Sequence, residues 1–505
     1  MTTTISLTHR QTSPGLQGKR VTLVLLASTA VLLACGPDRA PLSPTSRPDL
    51  AAGATGGMFL LPDPTGQIGT VSTAGAIDLG NPFFQSLGTN GRSCATCHLQ
   101  GDAFGLSAQA AQAAFAATGG TDPLFAAVDG ANCPSVTVAA GAAGHSLLLG
   151  QGLIRIPLAV PAGADFTVAV VHDPYGCALA GSPSQLSVYR RPLPTTNLRF
   201  LSALMLDGRE TIQPLTEKTT FKANLKSDLT HQAMDATLGH AQAAASPTAA
   251  QLNAIVNFEL ALFTAQQVDN SVGALEAQRA TGGPDALVSA PFYPGINDPL
   301  GDNPKGTPFD PNAFTIFTSW QDLSGSAPYV GARRAVARGQ VVFNTHPLSI
   351  TNVVGLNDAL GAPVINGTCT TCHDTPNVGN HSRPVPLDIG TSHAGSYESD
   401  VHVLAALGQL TVPDLPVYQV TCTGGPLAGT VRYTSDPGRA LISGKCADLG
   451  RIKGPILRGL AARAPYFHNG AAATLAEVVE FYNQRFQMGL TGQEKTDLVA
   501  FLKSL

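Results

Sequence analysis

Cys94-Ala95-Thr96-Cys97-His98 and, more than half a chain length later, Cys369-Thr370-Thr371-Cys372-His373 carry one pattern twice. Two thiols spaced one helical turn apart form thioethers to the vinyl groups of a haem, and the adjacent imidazole is then held beneath the iron as its proximal ligand. With nine cysteines and twelve histidines in 505 residues, chance supplies about 0.004 such patterns. Both are therefore read as c-type haem attachment sites, and two covalently bound haem c groups are expected on Cys94, Cys97 and His98 and on Cys369, Cys372 and His373. A thioredoxin-like redox pair needs a βαβ context and a zinc half-site needs a second matching pair, and neither is present. A packed electron wire would repeat the motif every few dozen residues, so each haem is expected to have its own lobe.

Working outward, Arg10, Lys19 and Arg20 precede an apolar run from Val21 to Ala34, which suits a signal-peptide core and is too short to span a bilayer. Its end, Leu32-Leu33-Ala34-Cys35-Gly36, resembles the bacterial lipoprotein processing box, in which the cysteine is lipidated. Residues 1–34 are thus expected to be a leader and 35–57, rich in Pro, Ser, Thr, Ala and Gly, a tether. The mature protein is expected on the periplasmic side of a bacterial membrane, the outer membrane in preference, held through Cys35 alone. There, disulfides persist. Thirty basic against 34 acidic residues leave a net charge of −4, which argues against a nucleic-acid partner or a polybasic membrane surface.

Cys133, Cys177, Cys422 and Cys446 remain, two after each attachment motif. Cys133 with Cys177 and Cys422 with Cys446 are plausible local bridges, although four cysteines allow three pairings. Between 131 and 187, short β-like runs (Val136–Val138, Leu153–Pro157, Phe166–Val171) broken by Gly and Pro suggest a β-rich insertion. A helix is expected from Ser246-Pro247, with Leu252, Ile255, Val256 and Phe263 on one side. At the C-terminus, Thr474-Leu-Ala-Glu477 and Thr491-Gly-Gln-Glu494 are capping boxes opening two amphipathic helices. Leu475, Val478, Val479 and Tyr482 form the inward stripe of the first, and Leu498, Phe501, Leu502 and Leu505 that of the second. The expected organisation is an N-terminal haem lobe over 58–280, a connector over 281–330 and a C-terminal haem lobe over 331–505.

With these residues in view, the chain resembles the bacterial di-haem cytochrome c peroxidases and the related di-haem enzyme that matures methylamine dehydrogenase. Besides the two attachment motifs, the resemblance rests on Leu206-Asp207-Gly208-Arg209, Pro455-Ile-Leu-Arg458 and Ala464-Pro-Tyr-Phe-His468-Asn-Gly470. It implies a mainly α fold of two cytochrome c-like haem lobes, here with the β-rich insertion in the N-terminal lobe and long irregular loops. One haem of that family meets hydrogen peroxide and the other passes or stores oxidising equivalents. The reductant, whether a small cytochrome, a cupredoxin or the quinol pool, is not singled out by any motif.

The departures bear on chemistry. Relatives place the sixth ligand of the C-terminal haem fourteen residues beyond the Pro-Tyr-Phe-His histidine, which falls on Tyr482. Electron-storing peroxidases have methionine there, whereas a phenolate is a harder donor that favours ferric iron and is what the maturation-type enzyme uses. A core tyrosine is the bland alternative, and Met488, in the loop and off the inward stripe, is the rival ligand. The resemblance also implies a distal Gln with a Glu ten residues on. Gln232 matches, but Gln242 follows it and carries no titratable proton. His240 shares the helical face of Gln232 and is a candidate acid/base, an iron ligand closing the site, or an ordinary helix histidine. Arg209 and Arg458 are candidates for haem propionates or for protein carboxylates, and His346, His381, His393 and His402 flank the second motif. A calcium ion held by the Arg463 and Pro465 carbonyls is a further possible cofactor in the family pattern, although the matching N-terminal asparagine is Pro192 here.

Three readings follow: a peroxidase-like oxidoreductase, a maturation-type or oxygenase-like enzyme oxidising a protein or organic molecule, and a non-catalytic electron-transfer lipoprotein. Both irons must be closed in the last, so cyanide binding separates it from the others.

Overall fold

The computed structural model describes residues 57–211, 218–374 and 385–505. The leader, Cys35 and nearly all of the tether lie outside these residues, as does His381. Among the described residues no helix is long and apolar enough to cross a membrane.

In the N-terminal half, the helices Lys218–Gly239 and Ala249–Ala261 pack together over a core of Leu229, Ala233, Leu252, Ile255 and Val256. The second helix starts two residues later than the Ser246-Pro247 signal indicates. Thr248 is its cap: its Oγ1 accepts from the Gln251 N–H, and the Gln251 side chain accepts from the Thr248 N–H at 2.9 Å. Phe263 is not on its stripe, because the helix ends at Ala261 and the chain continues as the strand Leu262–Asp269. That strand pairs with Gly66–Ser72, itself hairpinned to Met58–Asp63, so a four-stranded antiparallel sheet satisfies the backbone a longer helix would have used.

The β-rich region is real but is not a self-contained insertion. Ile154–Ala159 pairs with Gln185–Arg190. Phe166–His172 instead pairs with Val417–Cys422, which pairs in turn with Val431–Thr434. Alternate residues Phe166, Val168, Val420 and Cys422 share one apolar cluster, and burying that face required a partner strand from the other end of the chain. Val136–Val138 forms no strand; Val138 opens a 3-10 stretch. Disulfides join Cys133 to Cys177 and Cys422 to Cys446, with Cα atoms 6.0 and 5.7 Å apart, one on each contributing segment.

In the C-terminal half, the last helix, Gly492–Lys503, is capped by Thr491 and Glu494. It buries Leu498, Phe501 and Leu502 against the helix Val330–Thr345. Residues 281–330 are more than a spacer, since Phe314, Phe317 and Trp320 are fully buried in this core. The two helices approach so closely at Gly339 that a Cβ there would stand 2.0 Å from the Asp497 carbonyl oxygen, whereas Gly331 of the same helix faces open space. Gly339→Ala is therefore expected to destabilise by about 1–3 kcal/mol through overpacking, and Gly331→Ala to stabilise by up to about 1 kcal/mol. Urea unfolding of the two variants reads both signs.

Candidate functional site

Each Cys-x-x-Cys-His motif folds as one 3-10 turn, Cys94–Thr96 and Cys369–Thr371. Ser93 and Thr368 cap these turns, their N–H groups donating to the hydroxyls of Thr96 and Thr371 at 3.0 Å. The turn brings both thiols and the following imidazole to one wall. Cys94, Cys97 and His98 line one cavity; Cys369, Cys372 and His373 line a second. None of the four cysteines is in a disulfide. Burial pushes the thiols up, to about 12 for Cys94 and Cys369 and about 11 for Cys97. The same burial pushes His98 down to about 4, so its imidazole is neutral, and Nδ1 is engaged by the Phe104 carbonyl at 3.1 Å. A neutral ring with one nitrogen fixed offers the other to a metal. Paired free thiols, an adjacent imidazole and a mainly apolar cavity fit a thioether-bound porphyrin in each half.

Across the first cavity, Gln232, Ala233, Ala236, Thr237 and His240 share the wall. His240 Nδ1 is hydrogen-bonded to the buried Asp129 carboxylate, which also ion-pairs with Arg92. Burial alone would raise the Asp129 carboxyl; His240 and Arg92 outweigh it and hold it below the usual carboxylate range. His240 is thus a partly exposed imidazole oriented by a buried anion, the geometry of a positioned acid/base. Gln242 is not on this wall; it sits in an exposed turn with φ +54°. His231 is exposed and bonded to Glu210 at 2.7 Å.

One wall residue was not anticipated from the sequence. Glu259 is buried on the cavity, burial pushes its carboxyl up to about 8, and among the described residues Oε2 has no hydrogen-bond partner. The signal was a carboxylate on the inward side of the Ala249–Ala261 helix, among Leu252, Ile255 and Val256.

Tyr482 and Met488 both line the second cavity. Met488 is only 7% exposed, so its exclusion from the inward set is corrected: the chain leaves the helix at Phe486, and Gln487, with φ +52°, turns the methionine back inward. Tyr482 has no hydrogen-bonded hydroxyl among the described residues, and burial raises its phenol. His468 lines the same cavity, 3.9 Å from Asp436, and among the described residues neither ring nitrogen is hydrogen-bonded.

His346, His393 and His402 lie off both walls. His346 bonds the Met488 carbonyl at 2.8 Å. His393 is clamped between Asp388 and Glu398, which overcome burial and push it up to about 10. Its folded value lies above the ordinary 6.5, so its stabilisation is complete below pH 6.5 and is lost as pH rises toward 10. Stability measured by denaturant titration should fall across that window, and His393→Gln should flatten the fall.

A ribbon of residues including Arg191–Pro194, Leu206, Lys453 and Ile456 belongs to both linings, so the cavities share a wall. Arg190, which lines the first cavity, is buried between Asp207 and Asp436, with Nε 2.6 Å from Asp436. Arg209 reaches the first cavity while paired with Asp207 at 3.0 Å. Arg458 lies off both linings and donates to the Gly282 carbonyl at 3.3 Å; burial pushes it down to about 10.

The expected calcium ligands do not fit a divalent cation. The Pro465 carbonyl accepts from the Arg191 guanidinium, which also donates to the Leu106 carbonyl at 2.7 Å. A fixed positive charge already fills that seat and would repel a second. EDTA is therefore expected to leave the melting temperature unchanged, and a rise on adding calcium would contradict this.

No protein-family model matches the chain. The cytochrome-c peroxidase IdrP2 of Denitromonas iodatirespirans is 45% identical over 78 residues, 14% of this chain and 21% of that protein. IdrP1 of Pseudomonas sp. (strain SCT), also a cytochrome-c peroxidase, is 27% identical over 185 residues, 33% of this chain and 44% of its own. The cytochrome c551 peroxidase of Nitrosomonas europaea is 37% identical over 100 residues, 17% and 30% of the two chains. The chain spans less than half the length of the curated relatives it matches. A solved MauG-like protein associated with microbial copper homeostasis covers 85% of this chain and 88% of its own at 14% identity, with a TM-score of 0.30, too low to carry an argument. The resemblance to the di-haem cytochrome c peroxidases is supported by these relatives.

Proposed function

Starting from that relationship to cytochrome-c peroxidases, we propose that the chain is a periplasmic di-haem oxidoreductase of peroxidase type, lipid-anchored at Cys35, with one haem c in each of two lobes, 58–280 and 331–505. The observation that carries the reading is that each attachment motif lies on its own large apolar cavity and the two cavities share a wall. The bound haems supply iron that exchanges electrons with peroxide and with an external donor.

The chain's residues do the rest. Cys94 and Cys97, and Cys369 and Cys372, tether the porphyrins, and His98 and His373 hold the irons. In the first cavity Gln232 orients peroxide by its amide. His240, held by Asp129, takes the proton from the near oxygen and delivers it to the departing one. Two electrons from the donor and two protons then convert one peroxide into two waters. The apolar lining excludes bulk water.

A second reading, oxidation of a protein or organic molecule, is favoured by one observation: Tyr482 lines the second cavity, and its hydroxyl has no hydrogen-bond partner among the described residues. Electron paramagnetic resonance of the ferric protein, before and after peroxide, tests the proposal. One high-spin centre that responds to peroxide and to cyanide is expected, and two unreactive low-spin centres would leave only electron transfer. Rapid peroxide-dependent oxidation of reduced cytochrome c would count against the second reading.

A further inference from the structure

Lys453 is 4% exposed and lines both cavities. It is fixed in the shared wall by its backbone, whose N–H donates to the Leu206 carbonyl at 2.7 Å. Among the described residues its ammonium has no hydrogen bond and no carboxylate within ion-pair distance. Asp207, the acid whose charge it feels, is already committed to Arg190 and Arg209. The neighbouring cation Arg191 spends its terminal nitrogens on the Pro465 and Leu106 carbonyls. A buried ammonium without an anion is costly, so native structures supply a counter-charge. The linings are otherwise chiefly apolar, so the missing anion must arrive on whatever fills the cavities: a carboxylate borne by a flat apolar body.

We propose that Lys453 is a carboxylate-binding site common to the two cavities, which pairs with a haem propionate and sets one positive charge beside both porphyrins. This rests on the two-haem reading above and adds to it a residue that couples the centres electrostatically. A cation near a haem disfavours the oxidised, more positive iron, and its removal lowers the reduction potential. From the wall between the cavities, that effect reaches both haems. Arg209, on the first cavity alone, reaches one.

Haem is first counted in the wild-type holoprotein by the pyridine haemochrome assay. Fewer than two equivalents overturns the two-haem reading and, with it, this proposal. With two present, potentiometric titration of Lys453→Gln is expected to show both midpoints lowered, Lys453→Arg to return both toward wild type, and Arg209→Gln to move one. Two haems with unmoved potentials in Lys453→Gln, or a shift confined to one, would overturn the role of Lys453 while leaving the two-haem reading intact. Should Lys453→Gln fail to fold, Lys453→Met, of similar length and without charge, takes its place with the same expected result. The wild-type holoprotein gives an independent readout: resonance Raman propionate bending bands at the position of ion-paired carboxylates are expected, and bands at the free position overturn the contact.

Discussion

His240→Gln is expected to lower peroxide turnover of the two-haem protein by about 10²–10⁴-fold with haem content unchanged. The glutamine keeps a polar side chain but carries no proton that titrates near neutrality. The size of the effect follows from what surrounds the imidazole: Asp129, 4% exposed by its side chain, fixes Nδ1, so one tautomer faces the cavity and proton transfer needs no reorientation. Asp129→Asn should cost less turnover than the loss of the imidazole, because the ring remains and only its orientation is relaxed. If His240 were instead an iron ligand, the Gln variant would gain a high-spin signal and react faster, so the sign of the change separates the roles. Unchanged turnover would shift the acid/base role to Glu259, whose carboxyl on that wall is pushed by burial up to about 8.

The largest stability effect is expected at Arg190. Its side chain is 2% exposed and its two partners are 0% and 2% exposed, so Arg190→Ala leaves the dry Asp436 carboxylate without its cation and Asp207 with Arg209 alone. A cost of about 3–5 kcal/mol in guanidinium unfolding is expected. Replacing all three partners together, as Arg190→Met with Asp207→Asn and Asp436→Asn, should recover most of it, because no uncompensated charge is then left buried. A loss below about 1 kcal/mol in Arg190→Ala would mean that the triad contributes no more than an exposed ion pair. The position matters for function as well: the triad ties Arg190, on the first cavity and next in sequence to Arg191 of the shared wall, to Asp436, so loosening it should disturb both cavities.

What was legible in the sequence was what depends on near neighbours. A thiol pair and an imidazole within five residues specify an attachment site wherever the chain goes, and the Thr491–Glu494 box marks a helix start because the orphan N–H groups of a first turn are satisfied locally. Tyr482 was placed inward because helical periodicity alone sets its side. The inward side of Met488, the rival ligand, is not legible in the sequence because it lies beyond the helix end, where periodicity says nothing and a single left-handed residue decides direction.

By itself, then, the sequence determined the local features: two Cys-x-x-Cys-His turns and the helices that announce their own ends. Only the tertiary structure decided which polar groups face the cavities. Asp129 reaches His240 from a loop far away in sequence, Lys453 comes to stand between two cavities, and Phe166–His172 finds its partner strand at Val417–Cys422. The physical reason is that a short-range bond is satisfied by spacing, whereas burying an apolar face or a charge requires a counterpart that any distant segment can supply.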